Sequence, residues 1–154
     1  MAEREDLRPM WEAVGMMTGN FAVLELALHH LVWEMLSHGA AVRVVIREKG
    51  FGDLVKVGQK LVKEGFPADE GHRKRAGEVL RQMESVNRDR NLTTHAVVGE
   101  VAGRVELEVV REMIRGATRR RRVRVLDVQE LCRRSGELVS EVAQLTREIR
   151  AGDV

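Results

Sequence analysis

Several residue types are scarce in this chain, and their scarcity limits what the protein can be. The 154 residues include one cysteine, two prolines and only 3% aromatic residues. The single cysteine, Cys132, excludes an internal disulfide and leaves no thiolate cluster for zinc. So few aromatic residues and prolines argue against a large sheet or a disordered linker. We therefore expect a mostly helical protein that uses neither a metal nor another cofactor.

Long apolar runs are also missing. The longest uncharged stretch, residues 13–24, is too short to cross a bilayer, and residues 1–6 are charged rather than apolar. We expect no signal peptide, no membrane partner and a cytoplasmic location. With 44% hydrophobic and 32% charged residues, the chain has the composition of one globular domain spanning residues 1–154.

Charge is distributed unevenly along the sequence. The formal net charge is +2, yet residues 104–124 contain eight arginines and three glutamates, and residues 73–90 contain six basic side chains against three acidic ones. A mildly acidic body with two basic segments is typical of a protein whose partner has a phosphate backbone. The alternative is a solvated surface that only keeps the protein soluble.

The first third of the chain predicts one long amphipathic helix over residues 7–38. Its apolar residues recur at intervals of three and four: Val14, Met17, Phe21, Leu24, Leu28, Leu31 and Met35. The other side carries Leu26 and Trp33, which indicates burial on a second face, either inside a bundle or against a second subunit. Gly15 and Gly19 lie one turn apart and would let another backbone approach closely.

The remaining pattern predicts an all-α protein, a four- to five-helix up-down bundle with a short β-hairpin before the last helix. Helices are expected over residues 40–49, from a cap at Asp53 to residue 62, and from the segment after Pro67 to about residue 95. Alternating residues predict the hairpin at 104–126, with an arginine-rich return strand. A helix over residues 105–114 is the alternative. Asp127 is expected to cap the closing helix.

The residues best suited to chemistry lie in the hexapeptide 90–95, near the end of the fourth predicted helix. Cleaving RNA without a metal requires a group that takes the proton of the ribose 2′-hydroxyl and a cation that stabilises the charge on the phosphate oxygens. His95 and Arg90 supply these two groups, and Asn91 could orient either one. Arg88 is a second candidate for the phosphate contact, because it lies seven residues before His95.

Helical geometry makes Arg90 notable. At about 100° per residue it lies within the apolar stripe of its helix, where an unpaired guanidinium is costly. Either an acidic partner such as Glu25 satisfies it, which would make it purely structural, or it lines an anion site. On one straight helix Arg90 and His95 would be about 140° apart. Either the helix distorts or two chains contribute to the site.

The arginine followed by an amide and, four residues later, a histidine resembles the signature of the HEPN family of small helical bundles. The long first helix, the late motif and the closing helix extend the resemblance over most of the chain. It implies a metal-independent endoribonuclease of the toxin or phage-defence type, with Arg90, Asn91 and His95 in its site. The resemblance also implies a homodimer with a composite cleft and a nucleotidyltransferase-type antitoxin partner.

We further expect the four arginines Arg119, Arg120, Arg121 and Arg122, together with Arg88, to bind the RNA backbone. Two other functions remain open on the sequence. One is a non-catalytic helical interaction module, in which the arginine run is a solvent-facing strand edge. The other is an RNA-binding dimer in which the hairpin binds RNA and no bond is cleaved.

Overall fold

Five helices account for most of the protein. The computed structural model describes residues 8–36, 40–94, 97–101, 104–110 and 120–152. The helices are α1 (Arg8–Met35), α2 (Ala40–Arg47), α3 (Phe51–Glu64), α4 (Glu70–Thr94) and α5 (Val125–Gly152). The predicted helical class is therefore confirmed. Within the described ranges no helix has the length and apolar character needed to span a membrane.

Two of the predicted helix starts differ from the structure. Helix α3 begins at Phe51 with Gly50 as its N-cap, so Asp53 lies in the first turn rather than at the cap. Helix α5 begins at Val125, and Asp127 accepts the backbone N–H of Arg124 at 2.8 Å from within that first turn. Both predicted caps were wrong by three residues, because an acidic side chain is favourable at the cap and in the first turn alike.

The segment between α4 and α5 forms a three-stranded antiparallel sheet in the order β1-β2-β3. Its strands are β1 (Val97–Val101), β2 (Arg104–Val110) and β3 (Arg120–Arg124). Strand β1 follows directly on the motif and was not expected from the sequence. Strand β2 occupies much of the range for which a helix was the alternative, since Val105, Leu107 and Val109 alternate with glutamates as a strand requires.

Helix α5 packs along α1 in the same direction. Near their N-terminal ends, the Cys132 thiol donates to the carbonyl of Ala13 at 3.4 Å. Near their C-terminal ends, the guanidinium of Arg150 pairs with the buried carboxylate of Glu34, with Nε 2.9 Å from Oε1. Because a buried carboxylate is costly without donors, this pair fixes the ends of the two helices together.

Helices α3 and α4 complete the bundle and run in opposite directions. A Cβ on Gly58 of α3 would lie 2.9 Å from a methyl carbon of Leu80 on α4, so a larger residue there would require the Leu80 side chain to shift. The ring of Phe51 at the start of α3 lies 4.5 Å from that of Phe21 on α1. Since α4 also opposes α5, helices α1, α3 and α5 share one direction and α4 has the other.

Two leucines of α5 provide a test of where the core lies. Leu138 is 3% exposed and belongs to the core, whereas Leu126 is 67% exposed. We predict that Leu138→Ala lowers the free energy of unfolding by about 2–5 kcal/mol, because it removes buried methyl groups and leaves a cavity. Leu126→Ala should change it by no more than about 0.5 kcal/mol. Urea unfolding followed by circular dichroism measures both, and equal losses would contradict the packing.

Candidate functional site

The last turns of α4 position the motif. Met83 and Val86 are buried on the face of α4 that meets the core, and Arg90, one turn later on the same face, is half-buried. The hydroxyl of Thr93 donates to the carbonyl of Asp89 at 3.0 Å, and that of Thr94 to the carbonyl of Arg90 at 2.9 Å. The Thr94 hydroxyl also lies 3.3 Å from the carbonyl of Asn91, which is one of the last four carbonyls of the helix and has no backbone donor within it.

Arg90 lies against an aromatic ring. Its guanidinium carbon is 4.6 Å from the centroid of Phe21 on α1, and its Nη1 donates to the side-chain oxygen of Asn91 at 3.1 Å. A cation over the face of a ring is attracted by the negative charge of that face. Among the residues that the structure describes, no carboxylate forms an ion pair with Arg90. The ring and the amide therefore hold the cation without neutralising its charge.

In the described part of the chain, Arg90 is not paired with the acidic partner that the sequence suggested. Glu25 was its expected partner, but no ion pair joins the two residues in the described part of the chain. Glu25 instead lies close enough to His29, one turn later on α1, to affect its titration. Burial lowers the pKa of His29, and the charge of Glu25 acts in the opposite direction. Sequence periodicity placed Glu25 near the apolar surroundings of α1 but could not show which side of the helix faces α4.

The acid next to the motif arginine is neutralised by α5. Asp89 is half-buried and pairs with Arg134 at 3.0 Å, and Arg134 also donates to the hydroxyl of Ser85 at 3.2 Å. Opposite charges within this distance largely cancel at longer range. The charge of Asp89 therefore subtracts little from that of Arg90.

The structure describes some of the other predicted site residues and not the rest. Arg88 is exposed, and so is Asn91, whose oxygen accepts from Arg90. His95 and Arg119 lie outside the described residues. The backbone of Arg120, Arg121 and Arg122 forms part of β3 and pairs with Val110, Val109 and Glu108 of β2. The structure thus brings Arg90 and Asn91 together and leaves the positions of His95 and Arg119 untested.

A small cavity lies beside the motif, on the side of α4 that faces α5. Its volume is about 180 Å³, and its lining residues are Asp89, Leu92, Thr93, Val123, Asp127, Leu131 and Arg134. The sequence analysis missed Asp89 and Arg134, as well as Phe21 as the support of Arg90. An arginine 45 residues from its acidic partner has no local sequence signal, since the two meet only when α4 packs on α5.

The remaining reactive side chains of the described ranges do not form a second centre. Within those ranges no three histidine, cysteine or carboxylate side chains lie close enough together to hold a metal ion. Cys132 is buried, and burial raises the pKa of its thiol. A neutral thiol that donates to a carbonyl is a packed core group.

Comparisons with known proteins give no relative for this chain. No protein-family model matches it, and searches of curated proteins and of solved structures find no significant match. The chemistry of the site therefore has to be inferred from its own residues.

The contact between Arg90 and Phe21 can be measured by a double-mutant cycle. We predict that Phe21→Leu and Arg90→Met, alone and combined, give a coupling of about 0.5–2 kcal/mol in the free energy of unfolding, the range for a partly desolvated cation over a ring. Phe51→Leu with Arg90→Met is the matched control, because Phe51 packs on Phe21 without the guanidinium lying over its ring. A coupling in the control as large as in the test cycle would contradict a specific contact.

Proposed function

We propose that the protein is a HEPN-like, metal-independent endoribonuclease in which Arg90 binds the scissile phosphate and His95 transfers protons. The observation that carries this proposal is the environment of Arg90. The guanidinium is half-buried, rests on Phe21 and pairs with no carboxylate of the described residues. A cation held in this way keeps both its charge and its forked donors available for phosphate oxygens.

The proposed reaction needs no group beyond these side chains and the RNA. His95 takes the proton of a ribose 2′-hydroxyl, and the 2′ oxygen attacks the adjacent phosphorus. The bond from phosphorus to the 5′ oxygen breaks, and that oxygen takes up the proton that His95 carries, which returns the imidazole to its neutral form. The products are a 2′,3′-cyclic phosphate and a free 5′-hydroxyl. Arg90 stabilises the negative charge on the phosphate oxygens, and Asn91 orients the guanidinium through the bond already present.

The charged side chains near the end of α4 support the same assignment. Asp89 is neutralised by Arg134, whereas Arg88 is exposed and forms no ion pair with any residue in the described ranges. We assign Arg88 to an auxiliary contact with the RNA backbone, and Arg119, Arg120, Arg121 and Arg122 to further backbone contacts. A homodimer and a nucleotidyltransferase-type antitoxin partner follow from the HEPN resemblance, as does a role in toxicity or phage defence.

Cleavage of end-labelled total RNA in EDTA tests the proposal. We predict that the wild type produces cyclic-phosphate ends and that His95→Ala lowers the rate about 100- to 10,000-fold, the usual contribution of a general acid or base. Arg90→Ala should lower it about 100- to 1,000-fold, and Arg90→Lys by less, because lysine keeps the charge and loses the forked geometry.

Arg81→Ala is the matched control for these variants. Arg81 is an exposed arginine of the same helix, about 13 Å before Arg90 along the axis, so its loss changes the net charge without touching the site. Circular dichroism has to show equal folding of all variants. If Arg81→Ala and Arg90→Ala lowered cleavage equally, the loss would be explained by net charge alone and not by a specific contact between Arg90 and the phosphate. No cleavage by the wild type would favour the non-catalytic helical module, with Arg90 as a packing residue.

Binding of RNA can be separated from its cleavage. We predict that replacing Arg119, Arg120, Arg121 and Arg122 by glutamine weakens binding to single-stranded RNA. A plot of the logarithm of the RNA association constant against the logarithm of salt concentration should become less steep by about 0.7 for each phosphate that these arginines neutralise. Fluorescence anisotropy in the His95→Ala background measures the slope without cleavage. An unchanged slope would show that this run does not bind the RNA backbone.

A further inference from the structure

Helix α1 is apolar on the face that points away from the core. Met16, Val23 and Leu26 are 64%, 51% and 58% exposed. The buried residues of α1 include Met17, Phe21, Leu24 and Leu28 and occupy the opposite face. Residues 13–24 contain no charged side chain on any face. Large apolar side chains grouped on the exposed face of an uncharged helix segment are typical of a contact surface, which indicates that this part of the outer face is covered in the functional protein.

The outer face has room for a second helix. A Cβ built on Gly15 or on Gly19 would meet no atom within 4 Å, so both glycines are open on this side. Two cavities of about 270 and 380 Å³ lie further along α1, towards its C-terminal end, and share Leu26 and His30, which makes them one groove along the helix. Val139 and Ala143 of α5 extend its apolar lining. We call this surface the α1 groove.

The two ends of this face have opposite charge. Glu12 is exposed at the N-terminal end, and Arg147 is exposed beside His30 at the C-terminal end. Neither Glu12 nor Arg147 forms an ion pair with any residue of the described ranges. No acidic side chain lines the two cavities that form the α1 groove. The partner must therefore bring apolar residues to the middle of the face, and an acid to the arginine end.

We propose that the occupant of the α1 groove is α1 of a second copy of this chain, packed antiparallel about a twofold axis. When the two α1 helices cross at residue 21 of each copy, Gly19 of one copy lies opposite Val23 of the other, and Met16 lies opposite Leu26. The same register brings Glu12 of each copy to His30 and Arg147 of the other. A small residue then faces a larger one and each acid faces a base. Parallel pairing would instead bring like charges together.

This dimer keeps the two motifs apart. Arg90 rests on Phe21, which lies about 160° around α1 from Gly19 and so on the side away from the partner. Two α1 helices therefore separate the two guanidinium groups, and each site acts within its own chain. The assembly differs from the composite cleft that the HEPN resemblance implies. The dimer itself is independent of the ribonuclease proposal, and only its consequence for cleavage rests on that proposal.

Sedimentation equilibrium tests the assembly without RNA. The wild type should be a dimer, and Leu26→Glu should raise the dimer dissociation constant more than about 100-fold, because two carboxylates would enter an apolar interface. Residue 26 is exposed in the single chain, so the Leu26→Glu variant should still fold. Leu126→Glu is the matched control, an equally exposed leucine outside the groove, and should leave the constant unchanged. A monomeric wild type, or a dimer that Leu26→Glu leaves intact, would overturn the proposal.

Reversal of the charges identifies the partner as a second copy in the antiparallel register. Glu12→Arg and Arg147→Glu should each weaken the dimer, and the double variant should restore it to within a few-fold of the wild type. Failure of the double variant to recover, with both single variants weakened, would rule out this register. If the wild type cleaves RNA, Leu26→Glu should retain cleavage per chain at concentrations where it is monomeric. Loss of cleavage together with the dimer would instead favour a composite cleft.

Discussion

The packing of α1 against α5 is the constraint on which the rest of the structure depends. Each helix has 28 residues, and the two run in the same direction. The chain must therefore run back along the bundle before α5 begins, and α4 makes part of that return. The last turns of α4 reach the middle of α1, where Arg90 meets Phe21.

Helix α5 also supplies the polar contacts that hold the bundle at both ends. Arg150 satisfies the buried carboxylate of Glu34 at one end, and Arg134 pairs with Asp89 at the other. The first contact prevents an unpaired charge in the core, where its cost would be high. The second removes the negative charge nearest to Arg90. One helix thus contributes to the stability of the bundle and to the electrostatic character of the site.

Helix α1 separates two roles by its geometry. Its inner face carries the core and the ring that supports Arg90, and its outer face carries Met16, Val23 and Leu26. Because these faces lie on opposite sides of one helix, contacts made on the outer face need not disturb the inner one. The proposed assembly on the outer face and the proposed phosphate site next to the inner face can therefore be changed and tested independently.

The sequence by itself determined the helical class, the approximate extent of each helix and the half-buried position of Arg90, because a period of 3.6 residues reports directly which side chains face the core. It did not determine strand β1, the cap at Gly50 or the partners of Arg90. Glu25, the partner that periodicity suggested, acts on His29 instead. Phe21 and Arg134 come close to α4 only through packing between helices distant in sequence. Periodicity fixes the face of a residue and not the neighbour across from it, so tertiary structure alone decided what surrounds the site.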